Sequence, residues 1–415
     1  MKAEAINLHS KKNLKDWEIH NLGQLTKSIY DGTHQTPKYV SSGVPFYSVE
    51  HVTSNNFVET KYISEEEHLF LTRSFKIEKG DVLMTRIGSV GECKLVDWEV
   101  NASFYVSLAL LKFPNNWTAE YFEQYSKSEA FHKEVESHSL PSAVPKKINL
   151  GPISKIKVLI PSKRSEIEKI TKILKDFDEE LFRLDKLLIK KKQFKEGITI
   201  QLLTGEIRLP GFNEEWQKAL VGDVILNYFC GPSPTCEERN IQGDFEWGVL
   251  KTTAVTKDFG WNWKAHKTLP FIYWNKKNLE VKIGDVIVTK AGPRHRVGIS
   301  ATVDYVSPRI IVSGKMIGLR VNTKKVLPLI LSSCISSKES QLFLNQRTTG
   351  MAESQLNFEN KALLQTPIKY PKIKEQIAIV TILDDLDGEI KKITQKRKKI
   401  NLLKHSIMQY FFKKN

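Results

Sequence analysis

Cysteine is scarce in this 415-residue chain. The four residues, Cys93, Cys230, Cys236 and Cys334, form no CxxC pair and have no histidine at metal-ligand spacing. That excludes a disulfide framework, and the thiols read as reduced, non-ligand groups of a cytosolic protein. Long hydrophobic runs are also missing: none approaches the roughly 20 residues that span a bilayer. Met1-Lys2-Ala3-Glu4-Ala5-Ile6 lacks the apolar core of a signal peptide. A cytoplasmic location with no membrane contact is therefore expected. Negative charge is in deficit as well, since 63 Lys and Arg face 47 Asp and Glu, a net charge of +16. Such an excess favours a polyanionic partner. With 40% apolar and 10% aromatic residues, the chain is able to bury sizeable cores, and its length suggests two or three domains.

What is present is a repeat. Ile170, Leu174, Phe177, Leu181, Leu184 and Leu188 recur at alternating spacings of four and three, which places one narrow stripe on a helix. Ile379, Val380, Ile382, Leu383, Leu386, Ile390 and Ile393 repeat the pattern near the C-terminus, with Leu174 matching Leu383 and Phe177 matching Leu386. A narrow seam of this kind wants another helix, and each copy is the natural partner of the other. Lys191 and Arg397 fall on the seam, and Gly197 and Gly388 weaken their helices by about 1 kcal/mol each relative to Ala.

The repeat extends beyond the helices. Residues 17–160 and 216–367 share a texture of short apolar, β-branched and aromatic runs broken by turn residues, which predicts strands with a few short helices. Gly80-Asp81-Val82-Leu83 and Gly284-Asp285-Val286-Ile287 each read as a turn entering a strand. Each is followed by a basic, Gly-bearing loop, Thr85-Arg86-Ile87-Gly88 and Thr289-Lys290-Ala291-Gly292. Each segment ends in a strand closed by Pro161 or Pro371. The expected fold class is α+β: two similar β-rich domains joined by two long helices in an antiparallel coiled coil, a pseudo-two-fold repeat. The boundaries are 1–161, 162–206, 207–371 and 372–415. Helices of about 40 residues measure about 60 Å, the length of about 17 base pairs. Two similar heads at a set separation suit a two-fold-related duplex.

This order of domain, helix, domain and helix resembles the specificity subunit of a type I restriction–modification system. The resemblance is carried by Asp31-Gly32-Thr33-His34-Gln35-Thr36-Pro37 with Val44-Pro45-Phe46, by the two Gly-Asp strands, and by Leu202-Leu203-Thr204-Gly205-Glu206-Ile207-Arg208 with Pro210-Gly211-Phe212. Pro371-Lys372-Ile373-Lys374-Glu375-Gln376 adds to it at the last helix. The family often enters each helix with prolines, an acidic residue and Gln. The first copy departs from this, reading Pro161-Ser162-Lys163-Arg164-Ser165-Glu166. The resemblance implies two target recognition domains, each reading one half of a bipartite double-stranded DNA target, with the helices setting the spacer. It implies no catalysis and no cofactor in this chain. S-adenosylmethionine is expected on partner modification (methyltransferase) subunits, and ATP and Mg on a partner restriction (endonuclease/translocase) subunit. In agreement, the sequence shows no Walker A stretch, no Asn/Asp-Pro-Pro-aromatic methylase motif and no glycine-rich cofactor loop. The alternatives are a self-contained DNA-modifying or DNA-cleaving enzyme, or a structural coiled-coil adaptor.

Phosphates take Lys, Arg and amide donors, whereas bases are read by side chains with paired donors and acceptors. On that chemistry the DNA-binding candidates of the first domain are Thr33, His34, Gln35, Thr36, Lys38 and Tyr39, with Arg86, Lys146 and Lys147. Those of the second are Thr235, Arg239, Lys251, Trp261, Lys264, Lys290, Arg294 and Arg296. Trp261 reads equally well as core. No metal site is expected.

Overall fold

A computed structural model describes residues 16–243, 245–256, 260–350 and 352–412. The N-terminal stretch Met1–Ile6 lies outside the described residues. The chain divides into two compact units, residues 1–187 with 393–415 and residues 188–392. Each consists of one head and one segment of each long helix.

In the first unit the central sheet runs in the order Ser28–Asp31, Leu108–Lys112, Val82–Thr85, Cys93–Leu95, antiparallel throughout. Because successive side chains of a strand point to opposite faces, Val82 and Met84 enter a core shared with helix Asn116–Tyr125, while Leu83 enters a second core with Tyr47 and Phe104. Burial on both faces explains why this strand reads as an unbroken apolar run. A smaller sheet orders Tyr39–Val40, Lys61–Ile63, Val44–Tyr47 and Ser103–Phe104, its last pair parallel. Strand Trp17–Asn21 pairs antiparallel with Lys157–Pro161, setting Trp17 opposite Pro161 just ahead of helix Arg164–Thr204.

The second unit repeats this plan. Its central sheet orders Ile225–Phe229, Met316–Val321, Val286–Thr289 and Ser300–Thr302, and its smaller sheet orders His266–Thr268, Gly248–Leu250 and Ile310–Ile311. Gln217–Leu220 pairs with Pro367–Tyr370 ahead of helix Ile373–Phe412. Val286 and Val288 face one core and Ile287 the other. The expected α+β repeat is thus present, although the smaller sheet has four strands in the first unit and three in the second.

The two Gly-Asp turns share one device. Gly80 and Gly284 take φ of 95° and 88°, a region that favours glycine. The following carboxylate closes the turn and holds a cation on the neighbouring strand. Asp81 accepts from the Glu78 amide at 2.7 Å and from Lys112 at 2.8 Å. Asp285 accepts from the Lys282 amide at 2.7 Å and pairs with Arg320 at 3.0 Å. Burial pushes the Asp285 carboxyl up to about 6 against the pull of Arg320.

Within each unit the long helices pair antiparallel. In the first, Ile167, Ile170 and Leu174 share the core with Ile407, Met408 and Phe412, and Lys404 reaches Asp178 while Arg397 reaches Asp185. In the second, Leu202 and Leu203 share a core with Ile379 and Leu383, and Lys191 meets Glu389 at 2.6 Å. The polar seam positions Lys191 and Arg397 are therefore closed by ion pairs across the helices. Phe412 lies edge-on against Tyr125 at 5.2 Å and Tyr121 at 6.0 Å, and it is 1% exposed.

Truncating Phe412 to Ala should cost about 3 kcal/mol, read as a lower urea midpoint for the transition of the first unit. A loss below about 1 kcal/mol would contradict this packing. Asp178 gives a pH test. Burial raises its carboxyl, but Lys127 at 2.9 Å and Lys404 more than offset that and hold it below the ordinary value. A depressed folded pKa stabilises above the unfolded value and is lost as pH falls through the folded one. Asp178→Asn should therefore be less stable at pH 7, with the gap to wild type closing below about pH 4. A gap that stays constant with pH would contradict the pairing.

Candidate nucleic-acid interface

In the first head the polar loop starts from a residue that has to be glycine. A Cβ on Gly32 would lie 2.1 Å from the Phe104 carbonyl oxygen. Thr33 is tied down by backbone bonds, its amide donating to the Phe104 carbonyl at 3.2 Å and its carbonyl accepting from Val106 at 3.0 Å. His34, Gln35, Thr36, Lys38 and Tyr39 are exposed. The His34 Nε2 lies 2.8 Å from Asp31, and Tyr39 carries the Lys61 ammonium 4.8 Å over its ring.

Arg86 corrects an expectation. It is not a surface cation: it is 4% exposed, and it donates to Asp31 at 2.9 Å and to the Ile148 carbonyl at 3.3 Å. The Asp31 carboxylate is raised by burial, then pulled below its ordinary value by His34 and Arg86. Arg86 thereby draws three segments together. The Gly88 amide also donates to the Lys146 carbonyl at 2.8 Å, and Ile87 bridges Lys147. Lys146 and Lys147 are half-buried beside the loop, and Lys146 is paired with Glu136.

The second head shows the same economy. Gly231 takes the place of Gly32, since a Cβ there would meet the Val312 carbonyl oxygen at 1.7 Å. Thr235 is exposed. Arg239 is held by Glu246 at 2.7 and 2.8 Å and by Glu237 at 2.8 Å, so it fixes the loop instead of standing free. Lys251 pairs with Glu238 at 3.2 Å. Trp261 packs against a core and donates its indole N–H to the Tyr305 carbonyl at 2.7 Å, which favours its reading as core. Arg296 is partly buried and donates to the Thr252 and Val255 carbonyls at 2.6 and 2.7 Å, clamping a loop. Arg294 is half-exposed but bidentate to Glu353 at 2.6 and 2.9 Å. Lys264 is exposed and Lys290 half-buried, and neither ammonium has an ion-pair or hydrogen-bond partner among the described residues.

Several residues escaped the sequence reading. Asp31, Glu246 and Glu353 anchor the candidate arginines, and only a carboxylate next to an obligatory glycine, as at Asp31, left a local signal. Glu375 and Gln376 are buried and bind inside the unit. Glu375 pairs with Arg208 at 2.6 Å, and Gln376 accepts from the Leu327 amide at 2.7 Å while donating to the Pro371 carbonyl at 2.8 Å. On the first long helix the buried, apolar Ile167 stands in place of that Gln. Among the described residues, no group of His, Cys, Asp and Glu has the geometry to hold a metal, and no helix is long and apolar enough to cross a membrane.

Fold and loops together define a duplicated binding scaffold, with polar loops presented on two heads of one topology and each head rooted in paired helices. The sequence model described as the type I restriction modification DNA specificity domain matches residues 14–192 and again 213–402, and the chain belongs to this family. It is 32% identical over 170 residues to the specificity subunit of the Escherichia coli type I restriction enzyme EcoEI, a match covering 41% of this chain and 28% of that protein. The chain thus matches under a third of this relative's length. Its fold is similar to the S subunit of a type I restriction-modification system from M. genitalium, with a TM-score of 0.53 at 13% identity over 96% of both chains. It is also similar to the HsdS subunit of Thermoanaerobacter tengcongensis, with a TM-score of 0.51 at 15% identity over 96% of this chain and 97% of that one.

Arg86→Ala should leave Asp31 without its main counter-charge and cost about 3 kcal/mol locally. Hydrogen exchange should quicken at the amides of Thr33 and Ile148, with the second unit unaffected. Unchanged protection at both would show that Arg86 does not hold the loop.

Proposed function

We propose that this chain is the DNA sequence-specificity subunit of a type I restriction–modification complex. Each head, residues 1–161 and 207–371, reads one half of a split duplex target. The helices of 162–206 and 372–415 set the unread spacer. The observation that carries the reading is the duplication itself: one topology built twice, with the same obligatory glycine opening the polar loop of each head and different side chains displayed beyond it.

In this reading the chain performs no chemistry. Modification subunits bring S-adenosylmethionine and methylate adenine, restriction subunits bring ATP and Mg, and the complex works in the cytoplasm. Within the chain, base contacts fall to side chains that the scaffold does not tie up in ion pairs. These are Gln35, Thr36, Lys38 and Tyr39 in the first head, and Thr235, Lys264 and Lys290 in the second. Lys147 takes a phosphate contact in this reading. Asn and Gln pair with adenine edges and Lys with guanine, so Gln35 and Lys290 carry the most discriminating chemistry. Arg86, Arg239 and Arg296 position the loops instead.

Inserting one heptad into each helix, in register, adds about 10 Å of helix, or about three base pairs. Sequencing the methylated sites of cells carrying the altered complex should show both half-sites unchanged and a longer gap between them. An unchanged gap would rule out the helices as the ruler.

A further inference from the structure

Each head carries an exposed apolar pair at one place in its fold. In the first head, strand Lys61–Ile63 pairs with Tyr39–Val40 at the end of the polar loop, then runs into helix Glu65–Leu71. There Leu69 and Phe70 are each 62% exposed. In the second head, Thr268 closes strand His266–Thr268 and bridges Glu237 in the equivalent loop. The chain then enters the turn Phe271–Tyr273, where Phe271 is 77% and Ile272 82% exposed. The surrounding sequences are unrelated, yet the same strand borders the polar loop and delivers the same kind of side chain. Single exposed apolar residues need no explanation; two adjacent ones, placed twice at one topological position, do.

A cation also lies on an aromatic ring at each pair, on Phe70 of the pair itself in the first head and on the neighbouring Tyr273 in the second. The Arg73 guanidinium sits 4.8 Å over Phe70, and the Lys276 ammonium 5.2 Å over Tyr273. A cation held against an aromatic next to an apolar tip is suited to a groove, where the tip meets bases and the charge meets phosphate. The flanks otherwise differ in sign: Glu65, Glu66 and Glu67 precede the first pair, while Lys276 and Lys277 follow the second. One protein partner docking on both heads would have to match both signs. A duplex is negative at both heads, so at the first pair Arg73 has to offset Glu65, Glu66 and Glu67 while the apolar tips make the contact.

We propose that Leu69–Phe70 and Phe271–Ile272 are wedges that enter the DNA groove beside each half-site and unstack a base step there. This rests on the DNA-reading function above and adds a deformation of the duplex to it, a source of discrimination at positions no polar side chain contacts.

The test uses the full chain and duplexes of its mapped target carrying 2-aminopurine beside each half-site. Wild type should raise the fluorescence at both positions. The double variant Leu69→Ser/Phe70→Ser should lose the signal at one half-site only and bind the target about tenfold or more weakly. The slope of affinity with salt should change by no more than the one contact Arg73 makes, because Phe70→Ser removes the ring that holds its guanidinium. Phe271→Ser/Ile272→Ser should do the same at the other half-site. Both variants should keep the wild-type melting temperature, since the side chains are exposed. Full affinity and full fluorescence in both variants would overturn the wedge while leaving the specificity function intact. So would unaltered DNA binding with lost capture of the modification subunits, which would make the pairs a protein-docking surface. A wild-type chain that prefers no sequence at all would end both readings.

Discussion

The antiparallel contact between the long helices is the constraint on which each half of the molecule depends. It is not a separate rod with heads tethered to it. In the first unit the helix residues Ile167, Ile170, Leu174, Ile407 and Phe412 belong to the same core as the sheet residues Val82, Met84 and Leu111. In the second, Leu202, Leu203, Ile379 and Leu383 share a core with Val286, Val288 and Leu319. Removing the helix contact would therefore open the larger core of the head. Ion pairs such as Arg397 with Asp185 and Lys191 with Glu389 fill seam positions where an apolar side chain would otherwise sit. At these half-exposed places such pairs fix register more than they stabilise.

A net charge of +16 suggests many free cations, but the loops use much of theirs internally. Arg86, Arg239, Arg294 and Arg296 are all bound to carboxylates or carbonyls of their own head. A loop meant to present side chains to a ligand has few backbone partners of its own, and the planar, multiply donating guanidinium is suited to holding it from behind. What remains displayed is more varied between the two heads.

The repeat was legible because it is written in local patterns. Seam spacing, the Gly-Asp turns and the prolines at the strand ends are each set by residues a few positions apart, and the central sheets of the two units follow one order. The candidate loops were legible as loops, but the roles of their arginines were not. Arg86 meets Asp31 and Arg294 meets Glu353 across separations of 55 and 59 residues, and no local pattern encodes such partners. Glu375 and Gln376 were visible as a motif, yet their burial follows from Arg208 and Leu327, which only folding brings near. The exposed apolar pairs were missed for the opposite reason: a Leu-Phe or Phe-Ile pair in sequence looks like core.

The most direct test of a duplicated reader is to map methylated adenines in a genome whose only type I specificity subunit is this chain, expressed with its modification subunits. The account predicts a split motif, two short defined sequences separated by an undefined gap of constant length, which disappears when the chain is deleted. A single contiguous motif, a gap of variable length, or methylation unaffected by the deletion would contradict it.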